Sequence, residues 1–222
     1  MPPIGERLRE ERVRRGLSVR GLARDVGVSA SLISQIETEK SKPSVSTLYA
    51  ITTALGISIE DLFDVNGLAG QARPATPVSG TASAAAVLVD PGGVHAARQR
   101  VLAPNRHDRV GPVMQPDDRD ILTLDSGVVW ERLGQVPGVH VDFLRITYQP
   151  GGTSSSSGEL MRHSGTEYGY VLRGELILTL GFDEHRLQPG DAVSFDSTTP
   201  HGYHNDGSEP AVGIWFVLER TD

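Results

Sequence analysis

Residues 17–37 read LSVRGLARDVGVSASLISQIE, two short amphipathic helices joined by a turn. Ser18 can cap the first, whose Leu22, Ala23 and Val26 share one face, and Gly27 offers the left-handed conformation that closes it. Ser29 can cap the second, with Leu32, Ile33 and Ile36 turned inward. The four-residue turn Gly27-Val28-Ser29-Ala30 gives the geometry in which one helix braces on a duplex backbone while the next enters the major groove.

The same signals extend in both directions. Ile4 and Leu8 lie four apart on a helix that ends at Gly16. Ser44 follows Pro43 and can cap a helix with Leu48, Ile51 and Leu55 in one stripe before Gly56. Ser58 and Asp61 then form a short capping box over Leu62 and Phe63. The pattern predicts five helices from Ile4 to Phe63, a domain of residues 1–66.

The net charge of −7 is spread unevenly. Residues 1–66 carry 9 basic and 9 acidic side chains, whereas 67–222 carry 12 against 19. Within residues 1–43 the balance is 9 basic to 6 acidic, and both lysines, Lys40 and Lys42, fall there. That bias suits phosphate contacts in the N-terminal part, while the acidity belongs to the rest. With no cysteine, disulfides, thiolate zinc sites and cysteine nucleophiles are excluded. Charged residues break up any apolar run near the start and no stretch reaches 18 apolar residues, so a cytoplasmic protein without membrane contact is expected.

From about Asn66 to about Arg109 the chain becomes rich in Ala, Gly, Pro, Ser and Thr, the composition of a linker, read as 67–109. Beyond it, in 110–222, short β-rich runs alternate with turn signals, as in an all-β barrel or sandwich. Expected strands are 110–115, 121–124, 128–132, 139–148, 168–172, 175–180, 185–187, 192–195 and 211–218. The run Ser154–Ser157 reads as a flexible loop.

The stretches IGERLREERVRRGLSVRGLARDVGVS, SLISQIE and KPSVSTLYAITTALG resemble the Cro/C1, or XRE, helix-turn-helix family, over nearly all of residues 4–63. The resemblance implies an all-α domain that binds double-stranded DNA. It places Ser29, Ala30, Ser31, Ser34 and Gln35 toward the bases, with Gln35 equipped to pair with adenine N6 and N7. Arg20, Lys40 and Lys42 fall where phosphates are contacted. It also implies a partly buried Arg12–Glu37 ion pair of structural value.

MRHSGTEYGYVLRGE at 161–175 and GDAVSFDSTTPHGYHN at 190–205 resemble the two signature stretches of the cupin superfamily, a double-stranded β-helix barrel. Its first stretch runs His-x-His, three or four residues, Glu, six residues, Gly, matched here by Met161, His163, Glu167 and Gly174. The second ends in His and, four positions on, Asn, matched by His201 and Asn205. Met161 replaces the first metal histidine, and thioether sulfur is a poor ligand for Fe(II), Mn(II) or Zn(II). His163, Glu167 and His201 remain as a 2-His-1-carboxylate set for a divalent metal such as Fe, Mn, Zn or Ni. His163 and Glu167, four apart on a strand, can equally hydrogen-bond each other in a polar lumen. The expected effector-binding residues are Met161, His163, Glu167, Tyr170 and His201.

Together the two resemblances imply a one-component transcription regulator, a homodimer through the cupin domain whose barrel binds a small-molecule effector. The alternative is a mononuclear non-haem iron enzyme of epoxidase or oxygenase type built on His163, Glu167 and His201. A metal-free module holding a polar ligand on the same three residues is the third reading.

Overall fold

A computed structural model describes residues 3–63, 113–136, 139 and 141–218. The expected linker at 67–109 lies outside the described residues.

Five helices form the N-terminal domain: α1 (Ile4–Arg14), α2 (Val19–Val26), α3 (Ala30–Glu37), α4 (Val45–Leu55) and α5 (Ile59–Phe63). The predicted caps are present. Ser18, Ser29 and Ser44 accept the Gly21, Leu32 and Thr47 amides at 3.0, 3.1 and 3.2 Å. Gly27 and Gly56 close α2 and α4 at φ 79° and 55°, where a side chain would be strained. Ser58 and Asp61 cap reciprocally, at 2.8 and 3.1 Å. Leu8, Leu22, Ile33, Ile36, Leu48, Ile51 and Leu55 bury into one core, and Arg12 holds Glu37 through two bonds of 2.5 and 2.8 Å.

The C-terminal domain is built from β1 (Ile121–Thr123), β2 (Val128–Gly134), β3 (Val141–Tyr148), β4 (Thr166–Arg173), β5 (Leu176–Leu180), β6 (Asp183–Leu187), β7 (Ala192–Asp196), β8 (His201–His204) and β9 (Ala211–Leu218). A six-stranded sheet runs β1-β2-β3-β9-β4-β7 and a three-stranded one β6-β5-β8, all pairs antiparallel. Burial alternates along β3 and β4, so Leu144, Ile146 and Tyr148, and likewise Glu167, Gly169 and Val171, face inward. The inward residues surround a lumen walled by Trp130, Leu144, Tyr148, Tyr203 and Trp215.

Two expectations are corrected here. Val113–Gln115, the described part of the strand expected at 110–115, is not extended into a sheet; it leads into a 3-10 turn at Pro116–Asp118, where Pro116 lacks a ladder donor. The serine run is fixed at its start, where Ser154 and Ser155 are buried, while Ser156 and Ser157 form an exposed turn. Ser154 pairs with Tyr203 through both N–H to O and Oγ, at 2.9 Å each.

Trp215 fits because two facing positions lack a Cβ. A methyl at Gly169, its cross-strand partner, would sit 2.5 Å from the indole, and one at Gly213 2.3 Å from it. Gly169→Ala is expected to lower stability by about 1–3 kcal/mol, the usual cost of overpacking. A denaturant midpoint unchanged from wild type in urea titrations would contradict that reading.

The helical domain docks on the barrel through α4 and α5. The Ser46 N–H donates to the Ser154 carbonyl and the Asp125 N–H to the Pro43 carbonyl, both at 2.9 Å. The Arg132 guanidinium lies over the Phe63 ring, 5.3 Å from its centre.

Candidate functional site

Along α3, Ser31, Ser34 and Gln35 stand at i, i+3 and i+4 and are exposed together, the spacing that puts them on one helical face. Gln35 lies within 3.4 Å of the Ser31 hydroxyl, a long contact that leaves its amide accessible. Ser29 is exposed, but its hydroxyl is engaged as the α3 cap. Ala30 is half-buried, and Arg20, Lys40 and Lys42 are exposed. No acidic residue precedes Glu37 on α3, and Glu37 itself is turned inward to Arg12.

In the barrel, the chain folds back on itself to bring three of the predicted residues together. Met161 pairs with His201 through both backbone bonds, 2.8 and 3.0 Å, which sets the loop before β4 against the start of β8. The His163 amide donates to the Ser197 carbonyl at 3.1 Å. Alternation along β4 then aims Glu167 at both histidines.

His163 Nε2 lies 2.8 Å and His201 Nε2 3.0 Å from the same oxygen, Glu167 Oε1. The other oxygen, Oε2, accepts from the Tyr203 hydroxyl at 2.8 Å, and that hydroxyl accepts from the Trp215 indole N–H at 3.2 Å. Glu167 is 2% exposed and His201 0%. Burial works against the Glu167 charge, but the hydrogen bond from His163 and the close approach of His201 outweigh it and hold the carboxyl at about 2. Burial likewise opposes a charged His201, while its contact with Glu167 raises its pKa above the ordinary histidine value.

The tautomer of His201 decides whether a cation fits. Its Nδ1 lies 2.8 Å from the Thr199 carbonyl, so Nδ1 carries a proton and donates, and in the neutral ring Nε2 holds the lone pair. Nε2 is buried and, although 3.0 Å from Glu167 Oε1, finds no hydrogen-bond direction to any partner. A lone pair facing a carboxylate oxygen is satisfied by a proton or by a divalent cation between them. Ligand atoms of His163, Glu167 and His201 all lie within 4.8 Å of one another. The donor set, two imidazoles and a carboxylate, suits Fe, Mn, Zn or Ni.

Met161 is buried in the lumen wall beside the three. Tyr170 is not with them. It is an odd number of residues from Glu167, so the pleat turns it to the outer face, where it is 47% exposed. Asn205, the match to the signature asparagine, donates to the Tyr148 and Glu209 carbonyls at 2.9 and 2.8 Å and so pins a turn.

Sequence reasoning missed two members of the site. Tyr203 shares a face with His201 two residues away, and that alternation was the available signal. Tyr49, on α4, reaches the site from the other domain: its ring stacks on His163 with centroids 4.1 Å apart and planes within 4°. No periodicity within α4 announces that contact.

A helix-turn-helix family model matches residues 8–62 and a cupin domain model residues 144–217. The HTH-type transcriptional regulator PuuR of Escherichia coli (strain K12) is 28% identical over 203 residues, 90% of this chain and 86% of that protein. Among solved structures, an HTH_3 family transcriptional regulator from Vibrio cholerae aligns with a TM-score of 0.60 at 21% identity, covering 99% of this chain and 96% of its own. The hydroxypropylphosphonic acid epoxidase of S. wedmorenis aligns at a TM-score of 0.42 and 20% identity, over 97% of both chains. Among the described residues no helix is long and apolar enough to cross a membrane. Both domains are matched in this order: the chain joins a helix-turn-helix domain to a C-terminal cupin domain, and it is similar along most of its length to a transcriptional regulator.

Proposed function

We propose that the chain is a cytoplasmic, sequence-specific DNA-binding regulator, without catalysis of its own, whose barrel binds a small-molecule effector. The polar cluster at Glu167, sealed in an otherwise apolar lumen, carries the sensing half. A buried carboxylate with two imidazoles is costly to keep unless something is bound there or the cluster is fully satisfied. His201 Nε2, 3.0 Å from Glu167 Oε1 but without a hydrogen bond, supports the first of these. Met161, His163, Glu167 and His201 then form the effector-binding set, and His163, Glu167 and His201 the ligands of a divalent metal. Such a metal would supply a Lewis-acidic anchor for an anionic or carbonyl group of the effector.

The reading half rests on the exposed face of α3. Ser31, Ser34 and Gln35 contact base edges, Arg20, Lys40 and Lys42 contact phosphates, and Ser29 and Ala30 present the α3 N-terminus. Gln35→Ala is expected to weaken operator binding about 10- to 100-fold and random duplex far less, the cost of one bidentate base contact. Gel-shift titrations on both duplexes check this, and equal losses on the two would remove Gln35 as a reader.

A homodimer through the barrel fits the outer face of the large sheet. Tyr168, Tyr170, Leu172, Phe216 and Leu218 are each more than a third exposed there, and Phe143 stacks on Phe216 at 4.4 Å. An apolar surface of this kind marks an interaction site, and a two-fold pair of readers matches a palindromic operator. Tyr170→Glu with Phe216→Glu is expected to shift the protein from dimer to monomer in analytical ultracentrifugation. A dimer that survives both changes would place the interface elsewhere.

A further inference from the structure

We propose that Tyr49 is a plug carried by the DNA-binding domain: it closes the barrel lumen, so any solute larger than water reaches the Glu167 cluster only when Tyr49 and α4 withdraw. Its use in regulation rests on the effector reading above; the closure itself does not.

Tyr49 belongs to the helical domain yet is 7% exposed because the barrel covers it. Its ring lies flat on His163 and meets Trp130 edge-on, with centroids 6.0 Å apart and planes at 64°. With Val45 it completes a lumen otherwise walled by barrel residues. The free volume left inside is about 20 Å³, room for about one water molecule. Small-molecule sites typically enclose about 300–1,000 Å³. In this state the lumen therefore excludes a metabolite, and one wall must move to admit it.

The walls differ in how firmly they are held. Those of the barrel are continuous hydrogen-bonded strands. The α4 wall is fastened at its start by the Ser46–Ser154 and Asp125–Pro43 backbone bonds and by the ring stack. Beside it runs an interdomain cleft of about 460 Å³, lined by Val28, Leu32 and Thr47 on one side and Ser157 and Leu160 on the other. Met161 lines both this cleft and the lumen and separates them, buried and pinned to His201 by two backbone bonds of 2.8 and 3.0 Å.

Withdrawal of α4 would join cleft and lumen into one space of ligand size. It would suit a compact ligand with an apolar body against Trp130, Tyr148 and Trp215 and one polar end at Glu167. Lumen occupancy and domain docking are then mutually exclusive, and each opposes the other by the same free energy. Docking fixes the start of α4, which packs on α2, and α2 packs on α3, so the ligand alters how rigidly the reader is held.

The chain's two tryptophans, Trp130 and Trp215, both line the lumen, so selectively excited tryptophan fluorescence reports on that space. The test is acrylamide quenching of the full chain, with amide hydrogen exchange at Ser46 and Asp125. Tyr49→Ala and Tyr49→Leu, which keeps an apolar side chain but removes the ring that stacks on His163, are expected to raise the quenching constant about threefold and exchange at both amides at least about tenfold, whereas Tyr49→Phe, which keeps the ring, raises both far less. Should Tyr49→Ala fail to fold, Tyr49→Leu decides. Quenching in Tyr49→Leu equal to wild type overturns the plug. Raised quenching with unchanged exchange at Ser46 and Asp125 overturns the coupling to docking. Acrylamide stands in for no particular effector, so an effector screen that finds nothing leaves this result standing, and the two failures read out separately.

Discussion

Glu37→Ala is expected to cost the helical domain about 3–5 kcal/mol, the range for breaking a buried ion pair, which is much of the stability such a domain possesses. The Arg12 and Glu37 side chains are 9% and 5% exposed and meet through two parallel bonds. A third Arg12 bond, from Nη1 to the Leu17 carbonyl at 2.7 Å, holds the guanidinium in place. Truncating Glu37 leaves that cation buried without its counter-charge. Glu37 ends α3, so the loss falls on the helix that carries Ser31, Ser34 and Gln35. Thermal melting followed by far-UV circular dichroism should show helical signal lost well below the wild-type transition. The paired change Arg12→Met with Glu37→Leu should recover most of the loss, since it removes both charges together. A single-variant cost below about 1 kcal/mol would show that water or another group reaches Arg12.

The helical domain was legible in the sequence because each of its boundaries is a local event. Ser18, Ser29 and Ser44 cap where they stand, and Gly27 and Gly56 stop helices through their own φ angles. The barrel was legible only where strands carry β-branched or aromatic alternation. β8 escaped because His-Gly-Tyr-His has neither a β-branched residue nor an apolar run. It is extended because tertiary partners hold it: Met161 and Ser154 on one side and Leu178 and Leu180 on the other.

Within the site, the ligand spacing of His163, Glu167 and His201 was visible, but not what surrounds them. Tyr170 is expected in the effector set, but the two-residue pleat that turns Glu167 inward puts it outside. Tyr49 was out of reach altogether, since a contact between domains leaves no period in either. Ser154 misled for a related reason: serine favours loops when solvated, and here its oxygen and backbone join β8 to α4.

Glu167→Gln is expected to lower divalent-metal affinity by at least about 100-fold, more than loss of an outer hydrogen-bond partner costs, while the barrel stays folded. The amide has nearly the carboxylate's shape and can still accept from the Tyr203 hydroxyl, now at 2.8 Å from Oε2. What it lacks is the charge that faces both Nε2 atoms. Anaerobic loading with Fe(II), Mn(II), Zn(II) or Ni(II), followed by metal analysis of both proteins, checks the result. Equal retention by the two would place any metal away from Glu167. Wild-type protein that retains less than about a tenth of an equivalent would favour a polar ligand held by the three residues directly. The metal-free proteins differ in a second way. Glu167 is held at about 2 against an ordinary value of 4.5, so its ionised form stabilises the fold above about 4.5 and that contribution is lost as pH falls toward 2. His201, whose pKa is raised, works in the opposite sense: its contribution is full below the ordinary histidine value and fades as pH rises through the raised one. Chemical denaturation of metal-free wild type should therefore weaken between pH 4.5 and 2, and Glu167→Gln should lack that slope. A slope of equal size in both would assign the acid sensitivity to other carboxylates and leave Glu167 without an electrostatic hold on its histidines.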